Sequence, residues 1–319
     1  MSRPFPAAWA LLLFLLPVLA SSQSQTPASA PTDRSPVTAA QPSDPLPEPD
    51  LTPDAHGALS QQQMEQLFRV VAEKDIANEK KLRDYTYIDR EVETRLDGKG
   101  NTKSTETRTY EFLVIDGEQV QRLIEKDEKP LSAKEAAKEE EKIQKIIDKH
   151  KNESENDRKK RAERDEKERE EGLKYLREVS DAFNFKLVGT EQVGGRDAWV
   201  IDGEPRPGFQ PHMKYANYLP KFHGRVWIDK SDLQLSKIDL ETLDTVSWGL
   251  FVARLHKGTR VQLEQTRVND EVWLPQHLTV KVGVRVALLK NINANIEQSF
   301  RDYKKFRTSA RIVGMSEVK

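Results

Sequence analysis

The sequence predicts an α+β fold, a curved antiparallel β-sheet packed with helices and carrying a long charged helical insertion. Three observations predict it. Leu278, Val280, Val282, Val284, Val286 and Leu288 are apolar, while Thr279, Lys281 and Arg285 between them are polar; this period of two gives a strand one dry face and one wet face. Similar short runs recur through the C-terminal half with turn residues between them, as antiparallel pairing allows. Ahead of the sheet, Met64, Leu67, Phe68, Val71 and Ile76 recur at helical spacing, forming one apolar stripe that can lie on the sheet.

The first residues read as an export signal. Arg3 is a short basic region, residues 7–19 are apolar, and Val18-Leu19-Ala20 offers a small-residue cleavage site. The apolar run is shorter than the ~20 residues needed to span a bilayer, so residues 1–20 are expected to leave a soluble, exported, periplasmic chain. Residues 21–56 hold eight prolines between Pro27 and Pro53 among Ser, Ala, Thr and Gln, and read as a disordered linker because little in them can pack. Cysteine is absent, which excludes disulfides, thiolate metal sites and a cysteine nucleophile.

A folded domain is expected over 57–310, with a tail at 311–319. Ser60 caps a helix from Gln61 to about Lys81. The spacing then predicts a hairpin of 84–96 and 102–115 around Asp97-Gly98-Lys99-Gly100-Asn101, and Asp116-Gly117 turns the chain into a third strand at 120–125.

Residues 132–180 break the pattern. Between Lys134 and Glu171 there are 13 Lys/Arg and 14 Asp/Glu, so the charges nearly cancel and the stretch is neither a nucleic-acid arm nor an acidic tail. Five acid-to-base pairs at i, i+4, such as Glu141/Lys145 and Glu163/Lys167, favour helix by ~0.2–0.5 kcal/mol each. Asn152, Ser154 and Asn156 leave open a single rod or a helical hairpin.

The sheet resumes with strands at 185–193 and 197–202. The stretch from Gly203 to Pro220 is too rich in proline for a regular element, and Phe209, Met213, Tyr215 and Tyr218 give it the apolar weight of a flap. Strands are then expected at 224–229, 233–240, 250–256, 260–268, 272–288, 292–297 and 300–306.

Trp199-Val200-Ile201-Asp202, the proline-rich loop, Gly224-Arg225-Val226-Trp227-Ile228-Asp229 and Glu271-Val272-Trp273-Leu274-Pro275 before a long strand together resemble the outer-membrane lipoprotein-sorting proteins of LolA/LolB type. The resemblance covers roughly residues 60–310 outside the charged segment. It implies an unclosed β-barrel whose apolar interior is covered by helices and carries acyl chains of lipids or lipoproteins. On that reading Ile88, Tyr110, Phe112, Val114, Val261, Leu263, Val280, Val282 and Val284 line the covered face.

Catalysis is not expected. The histidines, His56, His150, His212, His223, His256 and His277, show neither an i, i+4 pair nor zinc spacing, though His212 and His223 flank the proline-rich loop. No nucleophile elbow, phosphate loop or calcium loop occurs, and no cofactor is called for. A net charge of −1 argues against nucleic acid, while residues 221–319 carry 17 Lys/Arg against 11 Asp/Glu, an excess suited to peripheral contact with anionic head groups. The sequence therefore reads as a carrier of an apolar ligand. The alternative is a non-enzymatic envelope protein that binds a protein partner through its charged arm.

Overall fold

Eleven strands run from edge to edge of a single sheet in the computed structural model, which describes residues 50–306 apart from 53, 56–58, 214–215, 249–252 and 287–289. The expected signal (1–20), most of the proline-rich leader and the tail lie outside the described residues. Among the described residues no helix is long and apolar enough to cross a membrane.

The first helix, α1 (Gln61–Leu82), begins where the sequence predicts. The Ser60 side chain accepts from the Gln63 N–H and the Gln63 side chain accepts from the Ser60 N–H, a reciprocal cap that satisfies two of the donors a helix start leaves open. Met64, Leu67, Val71 and Ile76 are buried along its apolar stripe.

A four-strand meander follows: β1 (Tyr85–Leu96), β2 (Thr102–Ile115), β3 (Glu118–Lys126) and the two-residue β4 (Lys129–Pro130). Asp97 holds its turn by accepting from the Lys99 and Asn101 N–H groups. The charged segment forms two helices, α2 (Ala133–Lys151) and α3 (Glu155–Ala182). Ser132 and Ser154 cap them, and the break falls at 152–154, where polar side chains compete for the backbone.

The second part runs β5 (Phe183–Val193), β6 (Arg196–Pro205), a 3-10 turn at Ala216–Lys221, β7 (Phe222–Asp229), β8 (Leu235–Thr242), the short β9 (Val246–Trp248) and β10 (Ala253–Leu255), then β11 (Arg260–Val268), β12 (Val272–Val286) and β13 (Lys290–Lys305). The two expected strands at 292–297 and 300–306 are one. Gln298, a polar residue at an inward position, interrupts the apolar alternation but not the hydrogen-bond ladder, which pairs Gln298 with both Glu91 and Leu278.

Sheet order is β4-β3-β2-β1-β13-β12-β11-β8-β7-β6-β5, with β10 and β9 attached beside β12. Every pairing is antiparallel. The first strand of the domain pairs with the last, which joins the two meanders and leaves β4 and β5 at opposite edges. The sheet is therefore unclosed, and the α2–α3 segment is the connection from one edge to the other. Ten strand spacings amount to ~48 Å along the sheet; α3, with 28 residues, is ~42 Å long.

The two helices lie on opposite faces. Ile143 of α2 is buried with Ile115 and Val120, whose side chains point away from the face that carries Phe112. The end of α3 packs on the Phe112 side, where Tyr175 and Ala182 join the main core with Val261, Leu263, Leu278 and Val280. The chain thus passes around the β3–β4 edge from the outer face to the inner one. Both of its ends are packed, so it is not a detached arm.

The outer face of the later strands carries a small buried cluster of Ala198, Val200 and Trp227 and, beside it, a row of charges. Asp202, Arg225, Asp239 and Arg260 are linked across that face, with Arg225 on Asp202 at 2.5 and 2.9 Å and Arg260 on Asp239 at 2.7 and 2.5 Å.

Candidate functional site

Cross-strand register decides which predicted lining residues share a face, because paired residues of antiparallel strands point the same way. Leu263 pairs with Leu278, Leu278 with Gln298, Gln298 with Glu91, and Glu91 with Arg108. Two-residue steps along these strands place Tyr110, Phe112, Val114, Val261, Leu263, Val280 and Val282 together on the inner face. Ile88 is a correction. It pairs with Glu111 and Arg301 on the outer face and is only half-buried, because β1 turns Tyr85, Tyr87, Asp89 and Glu91 inward instead. Val284 pairs through its backbone with Leu255 and Ile292.

The middle of this face is covered by the end of α3 and a loop, beside α1, whose Met64, Leu67 and Val71 pack on Ile201 and Ile228 of the same face. Tyr175 and Ala182 of α3 and Ala216 and Leu219 of the 3-10 turn are buried against it, and Phe209, Met213 and Tyr218 pack half-buried at its margin. Tyr215 lies outside the described residues. Val280 is 0% exposed, Val261 and Leu263 4%, Val282 5% and Phe112 6%, so a water-sized sphere touches almost none of them from outside or from within. The cover's own side chains occupy the space above Val261, Leu263, Val280 and Val282, while Phe112 packs among Tyr87, Phe300 and Tyr303.

At the β1–β13 boundary the inner face carries polar groups that the sequence reading missed. Gln298 Nε2 donates to Asp89 Oδ2 at 2.9 Å. Asp89 is 0% exposed and Gln298 1%, and Asp89 Oδ1 and Gln298 Oε1 are both buried with no hydrogen-bond partner among the described residues. Burial, then the nearby Glu91 charge, pushes the Asp89 carboxyl up to about 8, against the smaller opposing effect of the Gln298 bond. Glu91 is also held above its ordinary range by burial, with Arg108 at 3.5 Å pulling the other way. Burial and Glu91 push the Tyr110 hydroxyl up to about 12. Beside these groups Tyr87 stacks on Phe112 at 4.4 Å and tilts against Phe300 and Tyr303.

The signal for this cluster was present in β1. Tyr85 and Tyr87 have one parity and Ile88 and Val92 the other, so a strand that buries the tyrosines must also bury Asp89 and Glu91.

His212 and His223 serve separate carboxylates. His212 faces Glu178 on α3 at 3.9 Å and His223 faces Glu204 on β6 at 3.4 Å. Among the described residues no group of three or more metal-ligating side chains comes together.

No family model matches the chain, and no curated protein matches it. It is similar to a solved DUF1329 family protein from Desulfovibrio piger, with 11% identity, a TM-score of 0.29 and coverage of 80% of this chain and 94% of that one. It is similar also to a putative outer membrane lipoprotein-sorting protein domain from Vibrio parahaemolyticus, with 13% identity, a TM-score of 0.29 and coverage of 76% and 95%. A LolA superfamily protein from Nitrosomonas europaea matches with 8% identity, a TM-score of 0.28 and coverage of 79% and 96%.

Proposed function

We propose that this chain is a non-catalytic, periplasmic binding protein for an apolar ligand, an acyl chain of a lipid or lipoprotein held between the inner sheet face and its cover. The observation that carries the reading is the make-up of that cover. An apolar face spanning β8, β11, β12 and β13 is closed by the end of α3 and a proline-rich segment whose Phe209, Met213 and Tyr218 are only half-buried.

Since cover side chains fill the space, the ligand takes their place. Each buried CH₂ contributes ~0.8 kcal/mol, so six methylenes supply about 5 kcal/mol, enough to displace a few half-buried side chains that keep part of their surface in water. No reactive group is required of such a site.

The test is native mass spectrometry of protein purified without detergent, together with titration of a fluorescent fatty acid. Co-purifying lipid, or saturable dye binding that a natural fatty acid competes away, supports the reading. Absence of both overturns it.

A further inference from the structure

Where the chain passes around the sheet edge, a cleft of about 290 Å³ opens between the end of α2, the start of α3 and the β2–β3 turn. It is unrelated to the covered inner face. Five basic and three acidic side chains line it, and no apolar ones.

The acids are already engaged. Glu118 lies 3.4 Å from His150 Nε2 and 3.5 Å from Arg161 Nη1. Glu153 accepts from Arg161 Nε at 3.1 Å and Nη2 at 2.8 Å. Asp157 accepts the Ser154 hydroxyl at 2.7 Å. His150 and Arg161 are consumed in this frame, which fixes the angle between the two helices.

Two lysines face the cleft, one from each helix. Asp157, Lys160, Arg161 and Arg164 recur at i, i+3, i+4 and i+7, one stripe of α3. Lys149 reaches in from the last turn of α2, where Lys149, His150 and Lys151 form a basic end. Lys149 and Lys160 line the cleft, and among the described residues neither has an anionic partner. The start of α3 adds the partial positive charge of a helix N-terminus. The complement of two ammonium groups brought to one cleft by two helices is a compact anion with several oxygens. One carboxylate on an extended side chain would meet them less well.

We propose that this cleft binds a phosphate group, held by Lys149 of α2 and Lys160 of α3. Its source is either a lipid head group or free phosphate. Bound there, the group ties the two helices together where the chain turns from the outer face to the inner one.

The test uses the full mature chain and the variant K149Q/K160Q, both of whose substituted side chains are exposed and outside the core. Calorimetric titration with inorganic phosphate, in buffer matched for ionic strength with chloride, is expected to show saturable binding that the variant weakens at least about tenfold, as the loss of two charge-assisted contacts requires. A second arm measures co-sedimentation with phosphatidylcholine vesicles with and without phosphatidylglycerol. Variant-sensitive binding in both arms identifies a lipid head group as the source. Phosphate binding alone identifies free phosphate. Absence of phosphate binding beyond the chloride control, or equal binding by the variant, overturns the proposal whatever the vesicles do.

Discussion

Gln298 on the last strand donates to Asp89 on the first, 2.9 Å apart, and so joins the two meanders through side chains as well as through the ladder. A buried carboxyl with one unpartnered oxygen is costly when ionised. Its folded pKa is raised from 3.8 to about 8. The sign follows directly. The folded state holds the proton more tightly than the unfolded chain, so the stabilisation associated with Asp89 is full below about pH 4 and is lost as pH rises toward 8.

Asp89→Asn, which stays neutral and still accepts from Gln298, is expected to match the parent near pH 4 and to exceed it by about 2 kcal/mol near pH 8. Chemical unfolding across that range checks this. Asp75 on α1, also pushed up to about 8 by burial, which outweighs the opposing hydrogen bond from the Leu235 backbone, keeps part of the slope in the variant. Equal slopes in the two proteins would show that Asp89 is solvated.

Removing the cover's apolar side chains separates its two roles. Phe209→Ala/Met213→Ala is expected to lower stability by about 1–3 kcal/mol, since both side chains are only half-buried. It is also expected to tighten binding of a fluorescent fatty acid severalfold by giving up the space the ligand needs. Weaker dye binding at equal folding would show that these side chains contact the ligand and do not compete with it.

Arg196 clamps Asp229 through two bonds of 2.7 and 2.9 Å, and the Ser231 and Asp232 N–H groups complete the carboxylate at 3.0 and 2.7 Å. Burial alone would raise Asp229, but the Arg196 and Asp232 bonds outweigh it and hold the carboxyl below its ordinary range. Its contribution is therefore present above about pH 4 and lost as pH falls through the depressed folded pKa. Asp229→Asn is expected to cost about 2 kcal/mol at pH 7 and much less near pH 3, read as the pH dependence of Tm.

Gly224 and Gly203 pair across β6 and β7 on the inner face. A Cβ at Gly224 would stand 2.6 Å from the Asp239 carbonyl oxygen and would also strike the Leu240 side chain. Backbone cannot yield as a flexible side chain can, so Gly224→Ala is expected to destabilise by about 2 kcal/mol or more. Gly258→Ala, with open space around it but a positive φ of 80°, tests strain without collision and is expected to cost about 1 kcal/mol. Comparing the two Tm values distinguishes collision from strain.

By itself the sequence determined the elements and their class. Ser60, the stripe from Met64 to Ile76, the Asp97–Asn101 turn and the alternation of β12 are local statements, and each is realised because caps, turns and period-two runs act within a few residues. It also limited the chemistry through the absence of cysteine and the scattered histidines. Only tertiary structure decided which parity of β1 is buried, since the apolar Ile88 and Val92 compete there with Tyr85 and Tyr87, and the register to β2 and β13 sends Asp89 and Glu91 inward. Only it decided that the charged segment connects opposite sheet edges and changes face, because a helix of balanced charge has no strong preference of its own. The Asp89–Gln298 pair joins the first strand to the last, and Glu118 of β3 meets His150 and Arg161 only where the helices fold back on the sheet edge; the forces that make such contacts act only at the distances folding brings about.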